Sequence, residues 1–265
     1  MPSPPPGRAP LALSVVMPAF NEAELLERSV KEVAEGVRAL DALDTLDTLD
    51  TLDTLDGGSP HDGAFELIVV ENGSRDATAA LADRLAASTP EVVALHLPDP
   101  DYGAALRAGL LAARGGIVVN FDVDYYDLDF VADACARLDA PDRPAIVVGS
   151  KRTAGARDER SPLRRLVTAV FSGMLRYGFG LRVSDTHGMK AMRRDAVEPI
   201  ARACHFGTDL FDTELILRAE RSGLHTVELP VVVVERRPSR SPIWRRVPRT
   251  LWGLARLRIL LWRDR

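Results

Sequence analysis

The chain has 265 residues, 46% of them hydrophobic, and a formal charge of −4 at pH 7, which is enough apolar sequence to bury a sizeable core as one large α/β domain. Its two cysteines, Cys135 and Cys204, are too few and too far apart for a disulfide framework or a zinc cluster, and read as buried apolar residues of a reducing compartment. No run of about 18 uninterrupted apolar residues occurs, and the proline-rich start MPSPPPGRAP lacks the pattern of a signal peptide, so neither a membrane span nor secretion is expected.

Residues 1–12 read as a flexible tail ahead of a domain covering 13–235. LSVVMPAF, 13–20, is a β-rich apolar run, and Asn21 followed three residues later by Glu24 has the spacing of a capping box, which predicts a helix from Glu22 to about Leu40. The segment 41–58 holds DALDTLDTLDTLDTLD. A period of three drifts by roughly 60° per step on a helix, so its leucines hold no common face, and it reads as a solvated insertion without function. FELIVVEN (65–72) predicts a second strand, DATAALADRLAAS a second helix, EVVALHLP a third strand, and YGAALRAGLLAARG a third helix closed by Gly115 and Gly116. GIVVNFD predicts a fourth strand that runs straight into Asp122, Asp124, Asp127 and Asp129.

Strict alternation of strand and helix predicts an α/β fold with a mostly parallel central sheet flanked by helices on both faces. Ligands of such sheets bind outside the carboxyl ends of the strands. Asp122 and Asp124 fall there, beside Asn72 and Gly73 after the second strand and Pro18 to Glu22 after the first. Clustered carboxylates are costly unless they meet a cation, and oxygen ligands suit a hard divalent ion that also binds phosphate oxygens. Three D-x-D patterns stand outside the repeat, at 99–101, 122–124 and 127–129; only the middle one begins at the end of a strong apolar strand.

Taken in order, SVVMPAFNE, ELIVVENGSRDAT, YGAALRAGL, GIVVNFDVD, VVGSKR, DTHGMKAMRRDAV and FGTDLFDTEL resemble the successive motifs of family-2 glycosyltransferases of the GT-A fold, over residues 13–241. The subgroup most similar by eye is the polyprenyl-phosphate sugar transferases. The resemblance implies a nucleotide-diphosphate sugar donor, a divalent cofactor (Mn2+ or Mg2+) and inversion at the anomeric carbon. By position, Pro18, Phe20, Glu22, Asn72, Gly73 and Asp122 hold the nucleotide sugar. Asp122 and Asp124, with Asp127 replacing an oxygen lost where the family's Gln is Tyr126, hold the metal. Asp212 and Glu214 in FDTEL lie where the family places a catalytic or acceptor-site acid; Asp212 as a simple helix cap is the alternative. Arg152, Arg164, Arg165, His187 and Lys190 fall on the acceptor-phosphate side, where guanidinium geometry suits phosphate oxygens.

The chain departs from the family pattern at Asn72, where DDGS is replaced by ENGS. An amide accepts from a uracil imide but pairs a guanine edge less well than a carboxylate does, which favours UDP over GDP. DTHGMK is also one residue shorter than the usual motif and brings in His187.

The last segment, 236–265, has ten arginines against Asp264 alone. After Pro242 and Pro248 a helix is expected from about Arg249 to Trp262. Arg245, Arg249, Arg256 and Arg263 share one sector; Val247, Leu254 and Leu261 lie opposite, flanked by Trp244, Leu251 and Trp262, with Arg258 intruding. Such a helix suits the headgroup layer of an anionic membrane and a lipid-phosphate acceptor, implying a cytoplasmic enzyme peripheral on the inner face. Packing of that apolar face on the protein's own core is the alternative. No G-x-G-x-x-G follows the first strand, which argues against a dinucleotide-binding enzyme, and no nucleic-acid-binding module is recognisable, so no nucleic-acid partner is expected. A glycosyltransferase acting on a soluble or cell-envelope saccharide acceptor, and a catalytically silent sugar-nucleotide-binding protein, are the alternative readings.

Overall fold

The computed structural model describes residues 11–41, 65–153, 157–158, 162–233 and 243–263. Its first half alternates β1 (Leu13–Ala19), α1 (Leu26–Asp41), β2 (Phe65–Asn72), α2 (Thr78–Ser88), β3 (Val92–Leu97), α3 (Tyr102–Ala112), β4 (Ile117–Asn120) and α4 (Leu128–Leu138). Its second half comprises β5 (Ile146–Ser150), β6 (Arg157–Asp158), α5 (Pro162–Phe179), β7 (Lys190–Arg193), α6 (Arg194–Ala203), a 3-10 turn at Thr208–Leu210, α7 (Phe211–Arg221), β8 (Thr226–Pro230), β9 (Val232–Val233) and α8 (Ile243–Arg263).

Seven strands form one sheet in the order β3-β2-β1-β4-β7-β5-β8, while β6 and β9 pair separately. All pairings in the large sheet are parallel except those of β7, which runs antiparallel to both β4 and β5. Strands covered on both faces carry continuous apolar runs, and β1 and β2 are buried along their whole length. Leu13, Val15 and Met17 face a core shared with α1, α2 and α4; Val16, Ile68 and Val70 face a second core with α3, α6 and α7. The expected architecture is present, with one antiparallel strand added.

Local signals held less well than the strand pattern. Helix α1 begins at Leu26 rather than Glu22. Asn21 adopts φ 54° and its Oδ1 accepts from Arg75 N at 2.8 Å. The amides ahead of the helix are satisfied from the β2–α2 loop and the first residue of α2: Glu22 N donates to Thr78 Oγ1 at 2.8 Å and Ala23 N to Asp76 Oδ2 at 3.2 Å. Tertiary partners thus replace the predicted capping box. Gly115 does not cap α3 either. Its N donates to Ser14 Oγ at 2.8 Å, and a Cβ there would lie 2.5 Å from the Leu13 carbonyl carbon, so it is a close approach of two backbones.

At the C-terminal end α8 starts at Ile243 and carries Pro248 within it. Leu254, Leu257 and Leu261 are buried in the second core. The face expected to enter a headgroup layer is therefore, at Leu254 and Leu261, packed on the protein itself. The TLD repeat lies outside the described residues apart from Asp41, as do 1–10, 234–242 and 264–265. The described residues that flank it lie at the amino edge of the sheet: β2 starts there at Phe65, and near the end of α1 Arg38 grips Glu91, just before β3, at 2.8 Å.

Candidate active site

At the carboxyl edge, the β1 end (Pro18, Phe20, Glu22) and the β2 end (Asn72, Gly73) are tied together: Asn21 N donates to Ser74 Oγ at 2.9 Å. Gly73 has φ +72°, and a Cβ on it would stand 2.7 Å from Pro98 O, so the turn admits only glycine. Asn72 is buried. With its amide oriented to satisfy both neighbours, Nδ2 donates to Ala19 O at 2.7 Å and Oδ1 accepts from Asp101 N at 3.2 Å. The replacement of Asp by Asn thus supplies a donor that a carboxylate lacks, and the amide braces two loops of the rim.

Strand β4 delivers Asp122 and Asp124 on a short turn closed by Asp122 N to Tyr125 O (3.1 Å) and Tyr125 N to Asp122 O (3.2 Å). Between them the Val123 carbonyl accepts from the buried Ser29 Oγ of α1 at 2.7 Å. Tyr102, at the start of α3, donates its hydroxyl to Asp122 Oδ1 at 3.0 Å. Burial pushes the Asp122 carboxyl up to about 6, with the charges of Asp124 and Asp212 adding to the rise and the Tyr102 bond opposing it. The carboxylate of Asp124 makes no hydrogen bond among the described residues.

The other two aspartates of the run do different work. Asp127 caps α4, its Oδ1 accepting from Asp129 N at 3.0 Å and Phe130 N at 3.3 Å, and Asp129 stands in the first turn of that helix. Tyr126, in place of the family's Gln, turns its hydroxyl to Glu32 of α1. Among the described residues no three His, Cys, Asp or Glu side chains form a ready cage for a metal. Two carboxylates at a strand end fit a different kind of site, in which a hard cation keeps waters and takes its remaining oxygens from a bound diphosphate. The excess negative charge felt at Asp122 agrees with that donor set.

Lys190, at the first position of β7, and Asp212, in the first turn of α7, are each 1% exposed and lie 2.6 Å apart. Lys190 Nζ also donates to Gly188 O at 2.8 Å. Asp212 therefore pairs with a cation and is not the helix cap; the residue at that cap, Leu210, offers no side-chain bond. Both charges act on Asp122, which puts them in its electrostatic neighbourhood. Glu214, wholly buried, is engaged on both oxygens: Oε2 accepts from His205 N and Phe206 N at 2.8 Å each, and Oε1 from Arg218 Nε at 2.8 Å. It shapes the 205–208 loop.

Of the basic residues expected near an acceptor phosphate, Arg152 and Arg165 are exposed and Arg164 lies in the first turn of α5, whereas Lys190 is taken up by Asp212. His187 bonds Thr186 Oγ1 through Nδ1 at 3.0 Å and meets the Phe171 ring of α5 edge-on at 5.5 Å. Lys151 pairs with the buried Asp185 at 2.9 Å. Sequence reasoning missed Tyr102, Ser29 and Asp101. Asp101 caps α3 by accepting from Ala104 N at 2.9 Å and also accepts from Thr208 N; its place immediately before a helical run was the available signal. A separate cavity of about 300 Å³, lined among others by Asp101, Phe206, Thr208, Trp252 and Arg256, lies between that loop and α8.

A mostly parallel seven-stranded sheet covered on both faces, with an acidic turn at its carboxyl edge, is a GT-A-like fold. The family described as "Glycosyl transferase family 2" matches residues 14–200, and the chain belongs to that family. Among curated relatives, "Glycosyltransferase AglD" of Haloferax volcanii is 31% identical over 226 residues, 84% of this chain and 33% of the relative. "Dolichyl-phosphate beta-glucosyltransferase ALG5A" of Trichomonas vaginalis is 28% identical, covering 84% of this chain and 66% of that one. "Polyprenol monophosphomannose synthase" of Mycolicibacterium smegmatis is 32% identical over 64% of this chain and 67% of its own. The chain thus spans a third of the Haloferax relative and about two thirds of the other two. Among solved structures, glucosyl-3-phosphoglycerate synthase from Mycobacterium tuberculosis in complex with UDP has a TM-score of 0.54 and 26% identity, over 86% of this chain and 73% of that one. The same enzyme with Mn2+, UDP and phosphoglyceric acid has a TM-score of 0.55 at 24% identity, over 86% and 72% of the two chains.

Proposed function

We propose that this chain transfers a sugar from a nucleoside diphosphate donor to a polyprenyl phosphate, with inversion, and depends on a divalent metal. The observation that carries the reading is the Asp122–Val123–Asp124 turn at the carboxyl end of β4, held by Ser29 and Tyr102 in a pocket that raises the Asp122 carboxyl. Asp122 and Asp124 are the residues for the metal, Mn2+ or Mg2+, which neutralises the charge growing on the departing diphosphate. The ends of β1 and β2, with Pro18, Phe20, Glu22, Asn72 and Gly73, form the nucleotide side.

Uridine is favoured over guanosine. UDP occupies a solved neighbour at 26% identity, and an amide at position 72 suits a uracil imide better than a guanine edge. The relatives named for dolichyl-phosphate and polyprenol products support a polyprenyl phosphate as the acceptor, and the engagement of Asp212 is consistent with it. The Oδ1 of Asp212 is taken up by the buried Lys190 at 2.6 Å, so it is not held free to serve as a base. An acceptor phosphate is already ionised at neutral pH and needs no base. Arg152, Arg164, Arg165 and His187 remain the groups for that phosphate.

The test is transfer of labelled sugar from UDP-glucose or GDP-mannose to a short polyprenyl phosphate across a manganese titration. Asp124→Asn is expected to abolish turnover and the manganese-dependent thermal shift with UDP. Activity toward a soluble alcohol acceptor only, or wild-type behaviour of Asp124→Asn, overturns the reading.

A further inference from the structure

Exposed large apolar side chains are concentrated in two places. Of the eight among the described residues, Leu166, Val170 and Tyr177 lie on α5 and Leu251, Trp252, Ile259 and Trp262 on α8; only Val232 is elsewhere. On α5 the three recur at spacings of four and seven, within about 40° of one line on a helix. Gly173, on the same line, has nothing within 4 Å of its Cβ position. On α8 the four fall in an arc of about 100° beside the arc of Leu254, Leu257 and Leu261 that enters the core. Two stripes of that size on one molecule exceed scattered surface apolar residues.

Charge decides what covers them. Helix α5 carries Arg164, Arg165 and Arg176, helix α8 carries Arg245, Arg246, Arg249, Arg256, Arg258 and Arg263, and neither contains an acidic residue. Arg256 lies over the Trp252 ring at 4.7 Å. The helices meet where Arg258 donates to Gly178 O and stands over Phe179 at the end of α5. An isologous contact between two copies would set arginine against arginine, which disfavours a dimer. Tryptophan and arginine around an aliphatic stripe match a headgroup layer bearing negative charge.

We propose that α5 and α8 together form a docking surface for an anionic phospholipid bilayer. This rests on the enzyme reading above and extends it. Another flank of α5 packs Phe171 against His187, three residues before Lys190, so one helix joins the lipid surface to the site. A phosphate borne on a lipid is thereby presented at the α5 side, where Arg165 is exposed. The surface differs from an isolated interfacial helix because α8 is anchored by its own buried leucines and the lipid-facing stripe is a different one.

The test is flotation of the full chain with vesicles of phosphatidylcholine alone and of phosphatidylcholine with phosphatidylglycerol. Recovery is expected on the anionic vesicles only and is lost in high salt, since each basic residue near an anionic surface strengthens binding about fivefold. Trp252→Glu with Ile259→Glu on α8, and Leu166→Glu with Val170→Glu on α5, are each expected to reduce partition about tenfold or more. Both leave the melting temperature and the UDP–manganese shift intact. Equal binding to neutral vesicles, wild-type partition of either double variant, or a dimer in light scattering that the same substitutions dissociate overturns the proposal. Lost vesicle binding with the UDP–manganese shift preserved removes the docking surface alone; the converse removes the enzyme reading alone.

Discussion

Lys190 Nζ stands 2.6 Å from Asp212 Oδ1 with both side chains almost wholly inside the protein, joining the first residue of β7 to the first turn of α7. Removing one partner of such a pair leaves a buried uncompensated charge, at a cost of about 3–5 kcal/mol. Lys190→Ala is expected to lose that much in urea denaturation, and sugar transfer with it. The double variant Lys190→Met with Asp212→Leu is expected to recover most of the stability but not the activity. Recovery of both would mean that the pair is only a structural strut.

Asp122 links stability to pH. Its carboxyl is raised to about 6, chiefly by burial and then by the Asp124 and Asp212 charges. A group whose folded pKa lies above its unfolded value contributes stability that is fully present below the unfolded pKa, about 3.9, and is lost as pH rises through about 6. The metal-free protein is therefore expected to melt lower at pH 7 than at pH 5 through this group. Asp122→Asn, whose amide oxygen still accepts from Tyr102, raises the melting temperature at pH 7 in EDTA while manganese binding is lost. A lower melting temperature for that variant at pH 7 contradicts the assignment.

The cysteines are inert in the native protein. Burial pushes the Cys135 thiol up to about 12, with the Asp139 charge adding, and raises Cys204, where Glu214 adds. The thiolate is the reactive form. A maleimide at pH 8 is expected to label neither thiol until denaturant is added, after which mass spectrometry shows both; native labelling of either one defeats the prediction.

Deleting residues 44–55, four repeats of the TLD tract, is expected to leave melting temperature and UDP affinity unchanged. The three-residue period builds no buried face, and the flanking elements enter the fold at the amino edge of the sheet, away from the carboxylates. A marked loss of stability would show that the leucines are packed.

The strands were legible because residues buried on both faces write their position into the composition: LSVVMPA and FELIVVEN are β1 and β2 almost to the residue. The D-x-D at 122–124 was legible for the same reason, standing at the end of such a run. What depended on contacts across the fold was not. Asn21 and Glu24 have capping-box spacing, yet Thr78 and Asp76, more than fifty residues away, satisfy the amides before α1. Lys190 reads as an exposed phosphate ligand until α7 is laid against β7. Asp127 reads as a metal ligand until α4 is seen to begin beside it. On α8, 100° periodicity located the arginines but could not say which of two neighbouring apolar arcs the body of the protein covers.

The antiparallel seat of β7 has a consequence for synthesis. In the finished sheet Asn120 of β4 is matched to Lys190, seventy positions further along the chain. While the ribosome makes those seventy residues, β4 is paired through β1 on one side and carries a bare row of amides and carbonyls on the other. An apolar strand with an open edge is the template on which misassembly starts, so the nascent first half is the stage at which this protein is most exposed to aggregation. A second copy of β4 adding there in parallel register would bring its own Asp122 and Asp124 beside these, and that like-charge repulsion opposes self-pairing at the open edge.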